Sequence, residues 1–240
     1  MMPYLSASAP LRAVLVGLGC VLAVPADAPR AETQAPAAQE AELIDRLEIY
    51  ALLQTINAEL LASTSATLTL ESWCREHGLA TDPRIVAQPA GGAEEPVTAE
   101  QRQRLRIEAG EPVRYRKVRL ACGSKVLSEA DNWYVPGRLT PAMNEALERT
   151  DTPFGKAIRP LNPYRRTFAA QLLWSPLPEG WELESREALA AGPGREGGSR
   201  ASSLPTYLIE HRALVLRQDN LPVSEVRERY RSDLLAFRRP

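Results

Sequence analysis

The stretch Val113 to Pro136, VRYRKVRLACGSKVLSEADNWYVP, constrains the fold more than any other. Two runs with strand composition flank a short CGSK segment with turn chemistry, which predicts an antiparallel hairpin. A hairpin cannot stand alone in water, so the rest of the chain has to add strands or lay helices on it. Alternation within the first run sets Arg116 on one face with Val118, Leu120 and Cys122. That set is the more apolar one and is expected to face the core. A guanidinium there has to meet either a carboxylate of the protein or one brought by a ligand, because an unpaired buried charge is costly. Periodicity leaves both open.

Other elements follow by the same reasoning. Leu43, Leu47, Tyr50, Leu53, Leu60 and Leu61 lie on or near one helical stripe, predicting an amphipathic helix from about Glu40 to Ala62. SATLTLESW alternates and reads as a first strand, and AQPAGGAEEPVTAEQ reads as a loop. Thr98 and Gln101 have the spacing of a capping box. Thr140 before Pro141 and Thr152 before Pro153 each place a capping residue ahead of a proline, predicting two short helices. YRRTFAAQLLW suggests another strand, and TYLIEHRALVLRQDNLPVSEVRERYRSDLL a last hairpin turning near Asp219 and Asn220. In that hairpin Val226, Glu228 and Tyr230 share one face, and Val223 and Glu225 the other.

The expected organisation is one domain over residues 41–237, preceded by a signal peptide at 1–26 and a flexible linker at 27–40, with a flexible loop near 188–204. PLRAVLVGLGCVLAV places one arginine before an apolar run too short to span a bilayer, so the chain is expected to be exported to the periplasm. Anchoring by a lipid on Cys20 is the alternative to a soluble mature form. Without Cys20, Cys74 and Cys122 remain, either joined as a disulfide or buried as free thiols. Two histidines are too few for a metal cluster, and no metal is expected. A net charge of −1, with arginines interspersed among glutamates, argues against a nucleic-acid partner. Nucleophile elbow, phosphate loop and metal-binding histidine pair are all absent.

Four stretches, in order, resemble the chorismate lyase family and its superfamily, which includes effector-binding domains of bacterial transcription regulators. SAT at Ser65 to Thr67 resembles the end of the family's first helix and the start of its first strand, and Ala66 falls in its binding site. RYRKVRLAC resembles the strand with the substrate-binding arginine, which falls on Arg116; TPFG resembles the turn whose backbone binds ligand, placing Thr152, Phe154 and Gly155 at the site. PVSEVRERY resembles the strand of the catalytic glutamate, which falls on Glu228 after a one-residue shift, with Glu225 as competitor. Asn132 stands where the family has a second arginine. The resemblance implies an α+β domain, an antiparallel sheet of about six strands with helices packed on it, around a buried pocket for a small aromatic carboxylic acid. It implies either cofactor-independent release of pyruvate from chorismate to give 4-hydroxybenzoate, with Arg116 and Glu228 catalytic, or an exported protein that binds such an acid without catalysis.

Overall fold

The computed structural model describes residues 34–192 and 204–238. The signal segment 1–26, Cys20 and most of the loop near 188–204 lie outside the described residues. Six strands form one sheet in the order β1-β2-β3-β6-β5-β4, with every neighbouring pair antiparallel. They are β1 (Ile85–Pro89), β2 (Arg114–Cys122), β3 (Lys125–Tyr134), β4 (Tyr164–Leu172), β5 (Tyr207–Leu216) and β6 (Pro222–Arg231). The helices are α1 (Gln34–Ala62), α2 (Ala66–Glu76), α3 (Ala99–Leu105), α4 (Pro141–Arg149), α5 (Phe154–Ala157) and α6 (Arg186–Ala191). This is the single-domain α+β architecture that the resemblance implies.

The β2–β3 hairpin turns on Gly123 and Ser124, with Cys122 opposite Lys125. Gly123 has φ +55°, and a Cβ there would stand 2.8 Å from the Ala80 side chain, so backbone conformation and packing both require glycine. The β5–β6 hairpin turns where expected, with Asn220 left-handed at φ 62°. The capping box at α3 forms with both of its hydrogen bonds, and Thr140 caps α4.

Five local expectations are corrected. SATLTLESW is helical: the Ser65 side chain accepts the Leu68 amide as N-cap of α2, and the buried positions Ala66, Leu70, Trp73 and Cys74 follow a helical spacing. A period-two reading grouped Leu68 with Leu70, yet Leu68 is half-exposed. The first strand is Ile85–Pro89 instead, so Ala87 to Pro89 are not loop. The α1 helix starts at Gln34, not Glu40, because the Ala/Gln/Glu composition taken for a linker also favours helix. Residues 188–191 close α6 and are not loop. Thr152 caps nothing: Pro153 is the N-cap of α5, without a side-chain bond, and the helix runs only one turn.

One face of the sheet carries the main core, where Leu53, Ile56 and Leu60 of α1 and Leu70 and Trp73 of α2 meet Val118, Leu120 and Tyr230. Cys74 of α2 and Cys122 of β2 are joined in a disulfide across 48 residues of sequence. The opposite face is covered at one end by α3, whose Leu105 packs with Trp133 and Leu214. Elsewhere that face is an ion-pair lattice around Asp131, which is 1% exposed at its side chain against Arg227 at 2.7 Å. Burial works against the Asp131 charge, but hydrogen bonds from Tyr115 and Arg227 outweigh it and hold the carboxyl below its ordinary value.

Candidate functional site

Between the sheet and the starts of α2 and α5 lies a cavity of about 560 Å3. Its floor comes from alternate residues of neighbouring strands: Arg116, Val118 and Leu120 of β2, Ala130 and Asn132 of β3, and Val226 and Glu228 of β6. Register makes this set contiguous, since Asn132 stands between Arg116 and Val226, and Ala130 between Val118 and Glu228. Ala66 and Thr67 of α2, with Phe154, Gly155 and Ile158 at α5, complete the wall. Gly155 lets α5 approach α2 closely, because a Cβ there would lie 3.1 Å from Ser65 Oγ and the neighbour would have to give by a few tenths of an ångström.

Arg116 projects into this cavity with no carboxylate partner among the described residues. Its one protein hydrogen bond runs from Nη2 to the Thr152 carbonyl at 3.2 Å. Burial pulls its pKa below the ordinary arginine value, yet the side chain stays charged, as arginine does in proteins. Of the two alternatives that periodicity leaves open, the protein carboxylate is not found among the described residues. Thr152 acts only through that carbonyl and does not line the cavity. The first amides of α5, on Phe154 and Gly155, meet no protein acceptor among the described residues.

Glu228 also reaches the cavity, but it is not free. Its Oε2 accepts from Arg165 Nη2 at 2.6 Å and from the Tyr230 hydroxyl at 3.0 Å, while Oε1 receives no donor among the described residues. The Arg165 and Glu228 side chains are 3% and 8% exposed. Burial disfavours the Arg165 charge, but the Glu228 carboxylate more than restores it and raises the pKa. Arg165 Nη1 also donates to the Leu60 carbonyl at 3.1 Å, tying the pair to α1. Glu225 points to the other face, where Arg104 of α3 holds it by two bonds of 2.8 and 2.7 Å. One-residue alternation therefore decides between the two glutamates in favour of Glu228 at the cavity.

Sequence reasoning missed Arg165, although YRRTFAAQLLW was read as a strand: alternation places one of Arg165 and Arg166 inward but does not say which. It missed Lys156 and Glu71, which pair across the cavity wall between α5 and α2, with Glu71 also accepting the Ile85 amide at 2.9 Å. It missed His211 of β5, fully buried beside this cluster, whose Nε2 faces Asn57 Oδ1 at 2.8 Å. Burial first, and the Arg165 charge second, push its pKa down to about 4, so the ring is neutral near pH 7. Asn132, beside Arg116, accepts the Ser224 hydroxyl at its Oδ1.

Among the described residues no group of three His, Cys, Asp or Glu side chains could hold a metal ion. No described helix is long and apolar enough to cross a membrane.

No family model matches the chain. The uncharacterized protein y4mC of Sinorhizobium fredii (strain NBRC 101917 / NGR234) is 46% identical over 198 residues, covering 82% of this chain and 81% of its own length. Among solved structures, the effector domain of PhnF from Mycobacterium smegmatis aligns at 15% identity and a TM-score of 0.42, over 71% of this chain and 90% of that domain. The ligand-binding domain of a transcriptional regulator assigned to the GntR family, from Bordetella bronchiseptica, aligns at 17% identity and a TM-score of 0.37, over 62% of this chain and 84% of its own.

Proposed function

We propose that this chain, which belongs to the family of the Sinorhizobium fredii protein y4mC, binds a small aromatic carboxylic acid in the cavity above its sheet. The observation that carries this reading is Arg116, an arginine in a part-apolar cavity with no acid among the described residues to meet it. A planar guanidinium with spare donors matches a carboxylate in two-point fashion, and the bond is strong because both partners are charged. The cavity volume lies within the range of small-molecule sites. The motif resemblance to chorismate lyases supports an aromatic body for the acid. Calorimetric titration with 4-hydroxybenzoate should give saturable binding that disappears in Arg116→Met. Flat titrations against it and a panel of substituted benzoates would refute the reading.

Glu228 in the same cavity favours a second reading, cleavage of chorismate to pyruvate and 4-hydroxybenzoate. Its pairing with Arg165 makes it an acceptor rather than a ready proton donor, which is why binding is the preferred function. Pyruvate release from chorismate above a heat-killed control would reverse that preference. The reading of residues 1–26 as a signal segment, together with the Cys74–Cys122 disulfide, supports an exported protein. Sequencing the N-terminus of protein recovered from the periplasm checks this: an intact Met1 counts against it.

A further inference from the structure

We propose that the cavity selects a monoanion with an uncharged body and rejects dianions, an inference that rests on the carboxylate-binding reading above. The argument is a charge count along the cavity wall. Arg165 is neutralised by Glu228, and Lys156 by Glu71. Arg116 is the one remaining cation inside among the described residues. Beside it stands Asn132, a neutral group whose Oδ1 is occupied by Ser224, so what it offers a ligand is an amide NH2. Arg159 also borders the cavity, but it is exposed to water at the rim, where its field is screened.

One interior cation balances one negative charge. The remaining wall among the described residues is neutral, apolar at Val118, Leu120 and Val226 and polar at Ser65, Thr67 and Asn162, so it offers a second ionised group hydrogen bonds but no balancing cation. A second carboxylate would be stripped of water against that surface, or would lie near Glu228 and be repelled. A neutral amide or hydroxyl in its place could donate to Glu228 Oε1, the oxygen without a protein donor.

An isosteric pair of probes tests this on the intact protein: 4-carbamoylbenzoate, with one charge, and terephthalate, with two. Calorimetry at pH 7 should show the monoanion binding tighter by roughly tenfold or more, since only the dianion has to bury an unpaired charge. Asn132→Arg, checked for folding by circular dichroism, should narrow or invert that ratio. Terephthalate binding as tightly as 4-carbamoylbenzoate in the unaltered protein overturns the proposal. If Arg116→Met then abolishes both, the carboxylate-binding reading survives without the charge selection. If both bind Arg116→Met undiminished, that reading falls as well, and binding of neither probe to the unaltered protein overturns both.

Discussion

Arg116 and Arg165 are both arginines on the cavity side of the sheet, and they should respond in opposite ways to the same substitution. Arg116→Met keeps the stem's packing and removes a half-buried charge that no acid among the described residues balances, so stability should stay within about 0.5 kcal/mol or rise slightly while ligand binding is lost. Arg165→Met strands Glu228 at 8% exposure and should cost about 3–5 kcal/mol in urea unfolding. The double change Arg165→Met with Glu228→Leu should recover most of that loss, because it leaves neither charge unpaired. A third residue gives a pH dependence. His211 is near 4 folded, against an ordinary 6.5, so the unfolded chain binds the extra proton between those values. Its stabilising contribution is complete above about pH 6.5 and is lost as pH falls toward 4, by on the order of 3 kcal/mol. Urea unfolding across that range should show the loss, and His211→Gln should remove that part of the slope.

At the level of elements, α2 calls for the closest test because its N-terminus walls the cavity and its last turn is tied to β2 by the Cys74–Cys122 bond. A link closing 48 residues restricts the unfolded chain enough to stabilise the fold by on the order of 4 kcal/mol, so Cys74→Ala with Cys122→Ala should lower the urea midpoint accordingly. If α2 also holds the cavity's shape, affinity for 4-hydroxybenzoate should weaken in the same variant. The same helix shows what the sequence could and could not convey. The hairpins were legible because their turns carry local chemistry and their strands alternate. SATLTLESW fitted two periods at once, and only the apolar surface beneath it, supplied by distant strands, selects the helix. Arg116 and Glu228 could be placed from motifs, whereas the Arg165–Glu228 pair depends on β4, β5 and β6 lying in sequence across the sheet, which no local pattern encodes.

For the whole molecule, ligand binding should register as added stability, since a site built from α2, α5, β2, β3 and β6 does not exist in the unfolded chain. With 4-hydroxybenzoate at a hundredfold excess over its Kd, the unfolding free energy should rise by about 2.7 kcal/mol. Hydrogen exchange should slow on β2, β6 and α5 together rather than on any one of them. The strand order carries one more consequence, for how the protein is made. The last strand in sequence, β6, is an interior one, flanked by β3 and β5. During synthesis, therefore, β1, β2 and β3 emerge as one ladder and β4 and β5 as another, each with an open hydrogen-bonding edge, until Pro222 to Arg231 leaves the ribosome and joins them. A stop codon before Pro222 would not trim the sheet but divide it. From the completion of β5 at Leu216 until Arg231 has emerged, the nascent chain depends on keeping two sticky edges apart.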